Sequence, residues 1–558
     1  MNEKMGIKID ARARFKYTTV VSSSANYTFT LTNNVNLVAN FAPLTKGNPQ
    51  LTITSPKAGQ SITGSNDTFT VTGTTTDRVS VTNVLFRLNG GNWMSATPSN
   101  SWSNWIASVI LVPGSNTISA YAQDITGINS PTITNRFKFF PSGTLVVKTN
   151  ENGTVTPNET GKLLGFGTNV TLAAKPAANY LLNNWMTNGV IAGTNTSLTF
   201  IMESNLVVTA NFVTNLFIGM AGRYDGVFYP SDALGITEES SGLIQNLILK
   251  TNGVYSGKMY LAGTTISLSG SFNHSGQTTE SLGSIASAGG KVTLQLTNIF
   301  QSNPRAITGI VQGTGWMAHS LNLFAATTNT NNFPAYTVLL AQDPNDLGNP
   351  PDYGYALVTN NGSMISMGGV LADGTPFSCS EPINGQDQFP IYANLYGNKG
   401  LLLGTWSLAA GIFGAVPSGG LGWIKPAQKT GLYNGGYNTS IGVLGSPWTN
   451  TESALQGLFP FNAQLTFSNG GFAAGIVCTV QLTPSNTLKL ISGSNFSSGS
   501  INPKNGLMTV TFTNASKKRV TVNGTILQNL GTGGGFFTGT TNAGTITLMP
   551  HAPIAAGE

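Results

Sequence analysis

Short runs in which apolar and polar residues alternate occur along much of the chain. Residues 25–41 (ANYTFTLTNNVNLVANF), 292–296 (VTLQL) and 508–512 (MTVTF) are examples. A period of two places successive side chains on opposite faces of a strand, so each run predicts a half-buried β-strand. Asn-Gly pairs such as Asn252-Gly253 lie beside such runs, and this dipeptide favours a tight hairpin turn because both positions tolerate positive φ. The pattern predicts an all-β protein.

One alternating run is an internal repeat. Residues 196–212 (TSLTFIMESNLVVTANF) align without a gap with residues 25–41, and both copies end in Ala-Asn-Phe. The second copy is preceded by GTVTP at 153–157 and by GTNVTLAAKP at 167–176. This combination resembles the divergent internalin B-type repeat of bacterial surface proteins. The resemblance implies a small β module over residues 143–214.

Two aromatic residues of this module, Tyr180 and Trp185, are expected to pack in its core rather than to stack on a ligand. A domain of about 70 residues has little else to bury. The first copy contains only the second half of the pattern, so residues 1–43 are expected to be the truncated C-terminal half of a repeat. We therefore expect a longer secreted polypeptide whose signal peptide lies in a missing N-terminal part.

Residues 46–141 form a different unit, with turn signals at the spacing of a β-sandwich. Its motifs, in order, are ITSP at 53–56, FTVTG at 69–73, NGG at 89–91, PGSNTI at 113–118 and AYAQD at 120–124. This order resembles bacterial immunoglobulin-like domains. The resemblance implies an Ig-like sandwich.

The remaining region, 217–558, is predicted to be one large Gly-rich β-barrel or sandwich. Weak self-similarity divides it into three related units, near 222–332, 333–430 and 431–550. GRYDG at 222–226 recurs as GLYNG at 431–435, and this match places the start of the third unit. The region resembles a C-terminal domain of large secreted verrucomicrobial and planctomycetal proteins, a resemblance that implies no particular activity.

Composition narrows the function classes. Charged residues make up 9% of the chain, against roughly 25% in an average soluble protein, which excludes long solvated helices. The net charge of +6 comes from 27 basic residues and is too dilute for a nucleic-acid-binding protein. No apolar stretch approaches the roughly 18–20 residues of a membrane helix, so membrane insertion is not expected. Cys379 and Cys478 are either two buried thiols or one disulfide.

Candidate catalytic residues are few. No hydrolase, zinc-protease, P-loop or EF-hand motif is present, and the three histidines are expected to be structural or solvated. Asp225 and Asp373 occur in segments that are predicted to be glycine-containing turns. In such turns the Asp side chain hydrogen-bonds the local backbone. Glu280 and Glu452 are the acids placed in or beside predicted strands, so they are the weak candidates for an acid–base pair.

Candidate binding residues are equally few. Trp93, Trp102 and Trp105 lie close together in the sandwich. Trp93 and Trp105 are expected in its core, and Trp102 is the one predicted to be exposed enough to stack on a sugar ring. Asp343, Asn345 and Asp346 offer spaced oxygen ligands for Ca²⁺, although an acidic Pro-rich linker is the favoured interpretation. No metal site or cofactor is otherwise expected.

These observations predict a secreted or cell-surface multidomain β protein without catalytic activity, used for adhesion or glycan binding. The partner would be a polysaccharide or a cell-surface glycan. A polysaccharide-active enzyme, a glycoside hydrolase or lyase with its active site in the C-terminal region, is the alternative. An outer-membrane barrel is a third alternative and is disfavoured, since the loops lack asymmetry and the last residues lack an aromatic end.

Overall fold

The computed structural model describes residues 24, 26–30, 36–38, 47–230, 235–327, 335–342, 353–362, 364–407, 414–415, 421–449, 452–539 and 542–551. The truncated repeat predicted at 1–43 falls almost wholly outside these residues. Strands dominate the described chain, which confirms the all-β prediction. Within the described residues, no helix combines the length and the apolar character required to cross a membrane.

The first folded region is a sandwich of two sheets. Its strands are β1 (Gln50–Ser55), β2 (Ser61–Gly64), β3 (Thr68–Thr76), β4 (Val81–Leu88), β5 (Met94–Ser95), β6 (Thr97–Ser99), β7 (Asn104–Ile110), β8 (Gly114–Asp124) and β9 (Ile133–Thr144). One sheet has the order β1-β3-β7-β6, and the other contains β9-β8-β4-β5, with β2 paired to β9.

The sandwich core follows from the alternation of its strands. Trp105 on β7 is fully buried between the sheets, as the sequence predicts, and Val71 on β3 packs in the same cluster. Gly73 on β3 makes room for this tryptophan, since a Cβ there would lie 2.3 Å from the indole ring. A larger side chain at position 73 would therefore displace Trp105.

The repeat module continues the chain. Its strands are β10 (Val146–Thr149), β11 (Gly153–Thr156), β12 (Leu163–Gly165), β13 (Asn169–Pro176), β14 (Tyr180–Thr187), β15 (Val190–Gly193), β16 (Ser197–Ile201) and β17 (Val207–Thr214). They form the sheets β10-β17-β14-β15 and β11-β13-β16, while β12 pairs with β9. Trp185 is fully buried and donates its Nε1–H to the Asn195 carbonyl at 2.9 Å, so its predicted core role is observed; Tyr180 is half-buried.

The C-terminal region contains three antiparallel meanders. Barrel 1 begins after a 3-10 turn at Ile218–Met220 and consists of β18 (Gly222–Phe228), β19 (Gly242–Leu249), β20 (Val254–Leu261), β21 (Thr264–Ser271), β22 (Gln277–Ile285), β23 (Gly290–Ile299), β24 (Ala306–Gly313) and β25 (Trp316–Ala325), with a 3-10 turn at Ala286–Ala288. Its order is β21-β20-β19-β18-β25-β24-β23-β22, so the first strand pairs with the last.

Barrel 2 repeats this arrangement. Its strands are β26 (Ala335–Gln342), β27 (Gly354–Asn360), β28 (Ile365–Val370), β29 (Pro376–Glu381), β30 (Gln388–Leu395), β31 (Gly400–Ser407), β32 (Gly414–Ala415), β33 (Leu421–Lys425) and β34 (Tyr437–Trp448). The order is β29-β28-β27-β26-β34-β33-β31-β30, with β32 on β31. In barrels 1 and 2 alike, the fourth and fifth strands of the sequence are not paired by a backbone hydrogen-bond ladder, and we call this opening the seam.

Barrel 3 is closed. A short helix, α1 (Glu452–Leu458), leads into β35 (Asn462–Asn469), β36 (Ile476–Leu482), β37 (Thr487–Ser492), β38 (Phe496–Ile501), β39 (Leu507–Thr513), β40 (Arg519–Leu527), β41 (Thr532–Thr538) and β42 (Ala543–His551), with a 3-10 turn at Gln528–Leu530. Each strand pairs with the next, and β42 returns to β35.

The start of the third unit differs from its predicted position near residue 431. β34 pairs with both β26 and β33, so Tyr437–Trp448 closes barrel 2 instead of opening barrel 3. The GLYNG motif at 431–435 lies in the connection before β34, whereas its counterpart GRYDG forms the first strand of barrel 1. The two motifs are therefore similar in sequence but occupy different places in the fold.

Neighbouring barrels pack through strands that are buried on both faces. β26 and β31 carry almost unbroken apolar runs, YTVLLA and LLL, with one face toward the core of barrel 2. The other face contacts barrel 3 through Leu339 and barrel 1 through Leu403. Barrels 1, 2 and 3 therefore form one packed row.

Candidate functional site

A polar groove lies where barrel 1 packs against barrel 2. Ser320, Asn322 and Phe324 alternate along β25 and face outward from barrel 1, because the residues between them face its core. β30 and β31 of barrel 2 form the opposite wall. The groove has a volume of about 330 Å³, at the lower end of the range of small-molecule sites.

Amide and hydroxyl groups dominate the groove. It is lined by Asp225, Gly226, Val227, Tyr229, Ser320, Asn322, Phe324, Asn384, Gln386, Gln388, Pro390 and Thr405. Asp225 is the charged member of this set. Gly226 is required by the close approach of β18 to β25, since a Cβ there would lie 2.3 Å from the Asn322 carbonyl oxygen. The surface thus offers neutral hydrogen-bonding groups beside two aromatic rings.

An ion pair adjoins the groove: the carboxylate of Asp225 is buried, and its partner Arg223 is half-buried. Arg223 and Asp225 are two positions apart on β18, and Arg223 donates Nε–H and Nη2–H to the two Asp225 carboxylate oxygens, both at 2.8 Å. Asp225 Oδ1 also accepts the Asn246 backbone N–H at 2.7 Å. The bidentate fork fixes the orientation of both groups. Asp225 was predicted to be a turn residue with a backbone role, and that prediction is wrong: it is a buried strand residue.

Glu381 extends this cluster from barrel 2. Its Oε2 lies 3.5 Å from Arg223 Nη2, and its Oε1 accepts a hydrogen bond from Gln245 Nε2. Gln245 Oε1 in turn accepts the Tyr260 hydroxyl at 3.1 Å. Burial, reinforced by the negative charge of Asp225, raises the pKa of Glu381 to about 8. Glu381 therefore retains its proton at neutral pH.

The two carboxyl groups face different spaces. Glu381 lines a second cavity of about 280 Å³ that also includes Gln245, Tyr260 and Tyr392, whereas Asp225 lines the groove. Catalysis of glycoside cleavage needs two carboxyl groups on either side of one bond. Asp225 and Glu381 do not flank a common space.

Glu280, predicted as a weak catalytic candidate, lies on β22 of barrel 1. Its carboxylate accepts the Tyr255 hydroxyl at 3.0 Å, and Tyr255 belongs to β20 on the other side of the seam. The Ser269 backbone N–H lies 3.4 Å from the second oxygen. These contacts join the two halves of barrel 1, and they place Glu280 outside both the groove and the second cavity.

Replacing Glu280 with alanine should lower the stability of barrel 1 by about 1–2 kcal/mol, because the buried Tyr255 hydroxyl loses its acceptor. Urea unfolding of the full chain measures the effect. The double variant Glu280→Ala/Tyr255→Phe leaves neither group of the hydrogen bond unpaired and should recover part of the stability. An alanine variant as stable as the wild type would contradict this structural role.

The other predicted site residues are dispersed. Glu452, predicted to lie in or beside a strand, is the first residue of α1, between β34 and β35. Trp102 is half-buried against the sandwich core in a left-handed turn. Trp93, expected in the core, is half-buried with the Arg87 guanidinium 4.6 Å from its ring. Asp343, Asn345 and Asp346 lie outside the described residues.

The cysteines are both free thiols. Cys379 lies on β29 of barrel 2 and Cys478 on β36 of barrel 3, which resolves the two alternatives left by the sequence. Burial raises the pKa of the Cys379 thiol to about 12. Among the residues that the structure describes, no three His, Cys, Asp or Glu side chains are grouped as metal ligands.

The sequence contained a signal for the groove that composition alone did not reveal. Arg223 and Asp225 have a spacing of two, which puts them on one face of a strand, in a region where charged residues are scarce. Such a pair within an apolar strand indicates a buried ion pair. Glu381 and the groove amides come from distant segments, and nothing local marks them.

Two families match parts of the chain. Residues 49–120 match the bacterial Ig domain family, and residues 143–216 match the divergent InlB B-repeat domain family. Both resemblances seen in the sequence are confirmed. No curated protein matches.

Solved structures with detectable similarity include tandem Ig and fibronectin modules. The fibronectin(III)-like modules of CbhA from Clostridium thermocellum share 16% identity, with 30% of this chain and 94% of that chain covered and a TM-score of 0.14. The I-band fragment I67–I69 of titin shares 10% identity, with 61% and 98% covered and a TM-score of 0.15. A bacterial Ig domain followed by an InlB-type repeat is the organisation of a multidomain surface-type β protein, and such domains are typical of extracellular proteins.

Proposed function

We propose that this protein is a secreted or cell-surface adhesin-like protein that binds a neutral glycan in the groove between barrels 1 and 2. The observation that carries the proposal is the chemistry of the groove lining. Asn322, Asn384, Gln386 and Gln388 place planar amides around a space of about 330 Å³. A side-chain amide both donates and accepts hydrogen bonds. It therefore complements a sugar hydroxyl, which does the same.

The charge of the groove favours a neutral ligand. The carboxylate in the lining, Asp225, is already paired in bidentate fashion with Arg223. A strongly cationic or anionic ligand would find no free countercharge there and would have to disrupt this pair. Tyr229 and Phe324 supply apolar surface for the C–H face of a sugar ring. The volume suits roughly one or two rings of a longer chain.

The domain order supports a role outside the cell. The Ig-like sandwich and the repeat module are domains typical of extracellular proteins. We assign them a spacer role, with binding in the C-terminal barrels. Adhesion follows when the bound glycan belongs to another surface.

Binding should depend on the groove amides. The double variant Asn322→Ala/Gln388→Ala should lose tenfold or more in affinity for the glycan that the wild-type chain selects from a panel of neutral polysaccharides, about 1.4 kcal/mol per tenfold. Calorimetric titration of the full chain measures it. The matched control is Gln295→Ala, which removes an exposed strand amide of barrel 1 outside the groove and should bind as wild type.

The same panel tests the enzymatic alternative. Incubation with the wild-type chain should release no reducing ends or unsaturated products, because the two buried carboxyl groups do not flank one bond. Product release that disappears in Glu381→Gln would overturn the binding proposal and establish a polysaccharide-active enzyme. Equal affinity of the wild type and the groove double variant would place binding elsewhere.

A further inference from the structure

A second buried ion pair lies at one end of barrel 2, apart from the groove. Lys425 is the last residue of β33, and Asp373 lies in the turn between β28 and β29. Lys425 Nζ is 2.5 Å from Asp373 Oδ2, and the two side chains are only 4% and 0% exposed. Two charges held in contact and away from water are costly unless they neutralise each other.

Both carboxylate oxygens of Asp373 accept hydrogen bonds from the protein. Its Oδ1 accepts the Thr375 backbone N–H at 2.9 Å, and its Oδ2 accepts the Tyr396 hydroxyl at 2.7 Å. Trp423 Nε1–H donates to the Tyr396 oxygen at 3.0 Å and holds that hydroxyl in place. Asp373 was predicted to have a backbone role in its turn; it has this role through Thr375, and its second oxygen faces the barrel interior.

The Lys425 amine, the partner of Asp373, is equally constrained. Lys425 Nζ lies 4.6 Å above the Tyr396 ring, and its strand alternation directs it inward beside Trp423. The position also has a topological meaning. Asp373 belongs to the half of barrel 2 before the seam, whereas Lys425 and Tyr396 belong to the half after it. A link between them would connect the two halves of barrel 2, from the β28–β29 turn to the end of β33.

We propose that Lys425 and Asp373 form an intramolecular isopeptide bond between Nζ and Cγ. The inference is independent of the proposed glycan binding. It would be a self-modification that covalently joins the half of barrel 2 before the seam to the half after it.

The reaction is a condensation that needs no co-reactant. A proton passes from the Lys425 ammonium to Asp373 Oδ2, which leaves a neutral amine and a neutral acid. The Nζ lone pair attacks Cγ, and the Thr375 N–H stabilises the negative charge that develops on Oδ1. The Cγ–Oδ2 bond then breaks. Oδ2 takes a second proton from Nζ and leaves as water, while the Tyr396 hydroxyl donates to it throughout.

Two physical effects favour the product. The fold holds amine and carboxyl in contact, so the entropic cost of bringing them together is already met, and effective molarities for such arrangements reach about 10⁵–10⁸ M. The reaction also replaces a buried cation and anion by a neutral amide, which removes the desolvation penalty of the pair.

The test is the intact mass of the full chain under denaturing conditions. The wild type is expected below its sequence mass by one water, and a digest is expected to yield a peptide containing Asp373 joined to one containing Lys425. Lys425→Met and Lys425→Arg should both appear at their sequence masses, and the denaturing measurement does not require these variants to fold. Asp373→Asn should lose ammonia instead of water and give the same joined peptide.

Loss of water has one other local source, because the Asp373-Gly374 sequence can cyclise to a succinimide. A succinimide would still form in Lys425→Met and would give no joined peptide. Water loss with these two properties would overturn the proposal. A wild-type chain at its full sequence mass would overturn it as well and would leave Lys425–Asp373 as an ion pair.

Discussion

Replacing Arg223 with methionine should destabilise the barrel 1–barrel 2 unit by about 3–5 kcal/mol. Methionine fills similar space but leaves Asp225 as a buried anion, and the described contacts of that carboxylate then reduce to the Asn246 N–H. An unpaired charge inside a protein loses hydration without gaining a partner. The midpoint of urea unfolding, followed by fluorescence of Trp316, Trp406 and Trp423, measures the effect.

Two variants distinguish the orphaned charge from simple loss of packing. Arg223→Met/Asp225→Asn removes the anion together with its partner and should recover a large part of the lost stability. The control Lys162→Met breaks the exposed Glu159–Lys162 pair, 3.1 Å apart, and should change stability by less than about 0.5 kcal/mol. An Arg223→Met midpoint equal to that of Lys162→Met would show that the Arg223–Asp225 pair contributes nothing to stability.

Stability should fall as the pH rises from about 5 to about 8, by up to about 1.4 kcal/mol per pH unit. Glu381 has its pKa raised from the usual value of 4.5 to about 8 by burial and by the nearby Asp225. Between these two values the folded state retains a proton that the unfolded state has lost. The contribution is therefore fully present below pH 4.5 and disappears as the pH rises through 8.

Glu381→Gln tests this dependence directly. A neutral amide cannot ionise, so the variant should keep its stability across the same pH range and exceed the wild type above pH 8. The comparison also removes the contribution of Glu238, another acid whose pKa is raised by burial, because it is present in both chains. Glu203→Gln, which changes an exposed carboxylate, should retain the wild-type slope. Parallel wild-type and Glu381→Gln curves would contradict the assignment.

The candidate site was only partly predictable from the sequence. Asp225 was visible as an acid, but its neighbouring glycines indicated a turn. The structure instead uses Gly226 for close strand packing against Asn322, and the aspartate lies in the strand. Glu381 was visible too, yet its pKa depends on Gln245, Arg223 and Asp225, which come from a different barrel. Glu280 was a catalytic candidate because of its predicted strand position. In the structure it lies in a strand, but its carboxylate links the two sides of the seam of barrel 1.

The sequence by itself determined the features that depend on short-range periodicity. Alternation predicted strands, Asn-Gly and related turns predicted hairpins, and two motif series identified the Ig-like sandwich and the repeat module, because each of these is set by residues close together in the chain. Closure was decided only by the tertiary structure. Whether Tyr437–Trp448 ends barrel 2 or opens barrel 3 depends on its pairing with β26, about 100 residues earlier. The groove and the Lys425–Asp373 contact arise from the same long-range pairing, and local patterns carry no information about which distant strands will meet.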